Sequence, residues 1–249
     1  MNAKTSRLLT AVLSCGTLGA CLRLLMYRIG FDEKNILSAS HPLHLFCLGM
    51  TAMLAVYLLL HTSRLKGSSD PNLNFPRSGP RQMGLFSAGC LMTLHALTLT
   101  EETSSLLALC RMLLAFGSAG GMVLCALFPG KLRRVHIVCR GMICLFFALD
   151  MLARYQVWSG NPQLPDYVFQ VLACVTLCLC SYHRLAFDTG LGKRRTLLFT
   201  SLMAIYLNLL CAAGPETPIF YLGGALWAAG CICTAETPPE QEGQSDVPA

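Results

Sequence analysis

Four ionisable side chains interrupt stretches that are otherwise apolar: Arg23, Arg111, Arg140 and Asp150. A charge near the centre of a membrane helix costs roughly 2.5–3.5 kcal/mol on insertion scales, so such residues are retained for a partner or a ligand. Around Arg111, in LLALCRMLLAFGSAGG, the residues at helical spacing are Ser104, Ala108, Ala115 and Ser118; around Arg23 they include Gly16, Gly19 and Ala20. Small faces let helices approach closely, which turns both arginines into the bundle. Asp150 is the one acid within the apolar blocks, and pairing it with Arg111 or Arg23 lowers the cost of both charges. One carboxylate cannot neutralise two guanidinium groups. If all three converge, a positive charge remains in an outward-facing pocket that also takes in His44, Gln170 and Tyr167. The planar fork of arginine fits carboxylate or phosphate, so the chemistry expected is binding of a small anion. The alternative is an Asp150–Arg111 structural clamp with Arg23 reaching for the outer surface. Arg140 follows His136 by one turn and Arg133 by two, a basic stripe expected to reach lipid phosphates.

The elements that must position these groups are long apolar blocks. The chain of 249 residues is 54% hydrophobic and 13% charged, with a mean hydropathy of +0.53; an average soluble domain is roughly 25% charged. The blocks are Leu8–Tyr27, Leu43–Leu60, Met83–Thr100, Ser104–Phe128, Val135–Ala153, Tyr167–Tyr182, Thr196–Ala213 and Pro218–Ala235. Each approaches the roughly 20 residues that cross a bilayer core. The fold class is therefore all-α, a polytopic bundle of eight transmembrane helices. The transmembrane domain covers 1–235, and 236–249 reads as a disordered cytoplasmic tail. The loop of residues 61–82 between the second and third blocks is a basic connector rich in Pro, Gly and Ser. The basic start MNAKTSR followed by an apolar run has the look of a signal peptide, but no Ala-x-Ala site closes it, so it reads as a retained helix.

Lysine and arginine set the orientation. With the N-terminus cytoplasmic, thirteen of the 19 basic residues fall inside, Arg28, Lys34 and Arg154 fall outside, and Arg23, Arg111 and Arg140 lie within helices. Both termini are then cytoplasmic and the membrane is the cell membrane. The formal charge of +6 is accounted for by this topogenic bias and by contact with anionic lipids, and it calls for no nucleic acid. All 14 cysteines lie in the blocks, where cysteine acts as a small hydrophobe.

The second four blocks faintly repeat the first four. LMYR before the first outer loop matches MLAR, HPLHLF matches LPDYVF, RQMGLFS matches RRTLLFT, and EET falls near PET. A parallel repeat with halves 1–130 and 131–235 follows, of a kind known in some transporters; chance similarity of apolar segments is the alternative. His95 matches Asn208 in this alignment and is read as a helix–helix hydrogen-bonding residue. Gly117-x-x-x-Gly121 and Gly223–Ala225 are read as packing motifs.

The stretches YQVWSGNPQLPDYVFQ (Tyr155–Gln170), AFDTGLGKRR (Ala186–Arg195) and FYLGGALWAAGCIC (Phe220–Cys233) resemble a group of uncharacterised bacterial multi-pass membrane proteins. The resemblance covers most of the chain, is strongest in its second half, and implies the architecture without an activity.

No zinc-protease motif, Walker A loop or dinucleotide fingerprint is present, no histidine sits where it could act as base for Ser118, and no lysine lies within a block. Neither catalysis, a metal nor a cofactor is expected. The expectation is an outward-facing anion-binding or transport protein built on Arg111, Asp150 and Arg23. The alternative is a non-transporting sensor, chaperone or subunit of a membrane complex, with lipids, a membrane-protein partner or a second copy as partners. A membrane enzyme acting on a lipid-linked substrate ranks last.

Overall fold

The computed structural model describes residues 3–29, 41–64, 75, 78–102, 105–128, 133–158, 164–214 and 217–232. The tail 236–249, Cys233 and most of the loop between the second and third helices lie outside them. Among the described residues eight α-helices run in order: α1 (Ala3–Ile29), α2 (Pro42–Ser63), α3 (Gly79–Thr98), α4 (Leu106–Leu127), α5 (Arg133–Trp158), α6 (Leu164–Asp188), α7 (Arg194–Ala212) and α8 (Pro218–Gly230). A 3₁₀ turn, Leu99–Glu102, follows α3. No strand occurs among the described residues.

Local chemistry marks the helix starts. Pro42, Pro80 and Pro218 stand in first turns, where a missing N–H costs nothing. Ser105 caps α4, its hydroxyl accepting from the Ala108 amide at 3.1 Å. Thr217, before α8, has φ 45° and ψ 52°, a left-handed backbone that a β-branched residue rarely adopts.

Helices α3 to α8 pack each on the next, and α8 returns to α3, closing a six-helix ring. α1 lies outside the ring against α7, and α2 rests on α1 and α7. α7 is thus enclosed on nearly every side and is almost wholly buried. The two four-helix halves pack differently: α1 rests on α7, while the corresponding pairing of α5 with α3 is not among the main helix contacts. The packing therefore does not follow the two-fold suggested by the loop positions. Close approach depends on glycine where expected. A Cβ on Gly117 would come within 2.3 Å of Met142, and one on Gly224 within 2.7 Å of Leu177. Gly16 and Gly19 seat α1 on Leu209 and Leu210 of α7 in the same way.

Large apolar side chains cover the outside, among them Leu18, Phe46, Met53, Leu113, Val138 and Leu152. Water does not stabilise such a surface; hydrocarbon does. Six helices, α1, α2, α4, α5, α6 and α7, are long and apolar enough to cross a membrane, and the chain is a multi-pass membrane protein. The other two differ from the full-length blocks expected. α3 opens with the polar run Gly-Pro-Arg-Gln. α8 has 13 residues, about 20 Å at 1.5 Å per residue, against a hydrocarbon core of about 30 Å. α6 in turn outruns its block, continuing past Tyr182 to Asp188, so Asp150 is not the only acid held in a long apolar helix.

Candidate functional site

Consecutive helices alternate in direction, so the end of α3, the start of α4, the end of α5 and the starts of α6 and α8 meet at one end of the ring. This is the far end; α1 starts at the near end. Asp150, on α5, is fully buried there. The Arg111 Nε of α4 donates to its Oδ1 at 2.7 Å, and the Arg154 Nε of α5 donates to its Oδ2 at 2.7 Å. Both carboxylate oxygens are thus engaged by cations, which such a desolvated charge requires. Arg154 also donates through Nη1 to the Thr217 hydroxyl at 3.0 Å, and its guanidinium lies 4.5 Å from the Phe220 ring centroid. Its Nη2 has no hydrogen-bond partner among the described residues. A hydroxyl presented from a left-handed backbone is the kind of constraint that concentrates at functional sites.

Above this triad lies a cavity of about 580 Å³. Arg111, Arg154, His95, Thr98, Tyr167 and Thr217 form its polar lining, and Leu99, Val157, Trp158, Pro218 and Ile219 its apolar wall. Trp158 and Tyr167 stack with centroids 5.2 Å apart and planes inclined by 19°. His95 is buried, packs against Phe220 at 5.0 Å, and leaves Nε2 without a partner among the described residues. It does not make through Nε2 the interhelical hydrogen bond expected of it. Below His95 the ring is filled by Phe146, Phe147 and Phe220, whose centroids are 5.4 to 6.3 Å apart.

Of the residues expected to converge, Arg111, Asp150 and Tyr167 do. Arg23 forms a separate cluster with other partners, because α1 lies outside the ring. Its Nη2 donates to the Tyr27 hydroxyl at 2.9 Å, and its guanidinium lies 5.4 Å from the Phe169 centroid. His44 meets the same Phe169 edge-on at 5.5 Å. Arg23 does not reach for the outer surface either; it is 1% exposed. Gln170 is buried on α6 next to Phe169 in the chain, with Oε1 lacking a partner among the described residues.

Two further expectations are corrected. Arg154, read as an outer-loop residue, belongs to α5 and is the second cation of the triad. Arg140, read as reaching for lipid phosphates, is buried and donates to Asp188, whose other oxygen accepts from Arg184 at 3.2 Å. Arg154 was legible in principle, since Asp150 and Arg154 stand at the i,i+4 spacing that pairs charges on a helix. Thr217 and the unpartnered, buried Nη2 of Arg154 carried no such signal. Among the described residues, the 13 cysteines are free and no group of three metal-ligating side chains assembles. No known protein family matches the chain, and neither a curated protein nor a solved structure is detectably similar to it.

Proposed function

We propose that the protein binds a small anion in the far-end cavity and carries it across the cell membrane. The observation that supports this most is Arg154, buried, with Nε and Nη1 engaged and Nη2 without a hydrogen-bond partner among the described residues, in the lining of a cavity of about 580 Å³. A guanidinium held in place by a carboxylate and a hydroxyl needs little reorganisation to accept an oxyanion. Eight spans with both termini cytoplasmic, the arrangement favoured by the basic loops, turn this cavity outward. No step of bond making is called for. The bacterial multi-pass group resembled by the second half of the chain fits such a protein and adds no substrate.

A second reading is a receptor or complex subunit that binds without transport, alone or as a homo-oligomer. The packing of Phe146, Phe147 and Phe220 next to His95 favours it, because buried apolar rings, rather than polar groups, adjoin the cavity there.

The test is thermal unfolding of the purified protein with a panel of anions, followed by uptake into proteoliposomes. A ligand at 100 times its Kd stabilises the folded state by about 2.7 kcal/mol. The expected result is a raised midpoint for wild type and none for Arg154→Lys, which keeps the charge but loses the planar fork. No response to any anion in wild type would sink the proposal. Binding without uptake would leave the receptor reading.

A further inference from the structure

We infer that the anion taken by the far-end cavity is organic, with a compact oxyanion head and an apolar body of about the size of an aromatic ring. This rests on the reading of the cavity as an anion site. The cavity's two sides differ in chemistry. Its cationic groups, Arg111 and Arg154, are held at the floor by Asp150. Around them the rest of the lining is largely apolar, with Val157, Trp158, Pro218 and Ile219. An inorganic anion on the floor would leave most of about 580 Å³ as water against hydrocarbon, which gains nothing from the burial of apolar surface. A cavity in this size range with a few converging polar groups and apolar walls fits a small organic molecule.

The aromatic pair strengthens the point. Trp158 and Tyr167 come from the end of α5 and the start of α6, are buried, and stack nearly parallel at 5.2 Å, so this part of the wall is fixed before any ligand arrives. An apolar body packed against a wall fixed in this way costs the protein little side-chain freedom. The head then meets Arg154, with His95 Nε2 as a further polar contact at the edge of the floor. Carboxylate and phosphate monoester heads share the chemistry that the guanidinium reads.

The full chain in non-ionic detergent should be titrated with phenylacetate, phenyl phosphate, acetate, inorganic phosphate and 2-phenylethanol, reading the unfolding midpoint. At least one phenyl-bearing anion should act at a concentration about tenfold lower than its bare head, the gain expected from burying a ring. 2-Phenylethanol should not act. Which head is preferred assigns the ligand as a carboxylate or a phosphate ester. Ile219→Ser should narrow the gap between phenyl-bearing and bare anions to about threefold. Val157→Ser makes the same test at a residue 72% exposed, should the first variant fail to fold. Equal potency of bare and phenyl-bearing anions would overturn this inference and leave the anion site standing. Equal action by 2-phenylethanol would show that the charge is not read. Silence from every anion would remove the anion site itself.

Discussion

The ring carries two arginine–aspartate–arginine triads, one at each end, and they are built alike. At the far end Asp150 joins Arg154, four residues on in the same helix, to Arg111 from the neighbouring α4. At the near end Asp188 joins Arg184, four residues back in the same helix, to Arg140 from the neighbouring α5. Their surroundings differ. Arg184 lies 3.5 Å from the Phe75 centroid, and Arg81 lies 4.7 Å from the same ring while its Nε donates to the Gly230 carbonyl at 2.8 Å. Those cations are stacked and capped. The far-end triad instead faces open volume, with a strained threonine holding one guanidinium. The same charge arithmetic thus serves as a clamp in one place and as the floor of the proposed binding site in the other. What separates the two is access, not composition.

The comparison is most exposed to substitution of the carboxylates. Asp150→Ala strands two buried cations at the centre of their contacts, and a loss of about 3–5 kcal/mol is expected, measured by chemical unfolding in detergent. Asp188→Ala should cost less, about 1–3 kcal/mol, because that carboxylate sits near the helix end and is 10% exposed. The reverse order would mean that the near-end triad is the main structural clamp. Next in size is Gly117→Leu, which drives a side chain into Met142 and should cost about 1–3 kcal/mol without changing the anion response. The sharpest contrast is functional. Arg154→Lys should abolish stabilisation by anions, whereas Arg184→Lys should lower the unmodified midpoint and leave the anion-induced shift intact. Equal loss of the shift in both variants would erase the distinction drawn between the ends. The smallest effect is expected of Thr217→Gly. Relief of the left-handed backbone, of order 1–3 kcal/mol, offsets the lost bond to Arg154, so stability should change by less than about 1 kcal/mol while anion affinity falls.

Much of this architecture was legible in the sequence because charge within hydrocarbon is conspicuous. Arg111 and Asp150 stand out in apolar runs; of the small residues around Arg111, Ala115 and Ser118 are buried as expected, Ala108 is half-buried, and Ser104 lies outside the described residues. The misreadings have a common physical origin. An apolar block ends at the first polar residues, but a helix continues as long as its backbone bonds do, so Arg154 reads as an outer-loop residue and Asp188 falls beyond its block although each belongs to its helix. Arg23 failed for another reason. Its burial was legible from Gly16 and Gly19, but which helices close the ring depends on long-range packing between α3 and α8, which no local pattern encodes. The length of α8 was hidden in the same way, because Cys231 and Ile232 are apolar yet lie past its last turn.

The closure of the ring by α8 sets an order of events during synthesis. Thr217, Pro218 and Ile219, one side of the cavity, follow seven helices in the chain. As the chain emerges, α3 has no α8 to pack on, Arg154 has no threonine to bond, and the cavity has no closing wall. A chain interrupted before α8 can hold the Arg111–Asp150–Arg154 contacts but cannot enclose a ligand. On the proposed reading, protection by the anion would therefore report the arrival of α8, and a binding signal in growing cells would count chains that have completed the ring.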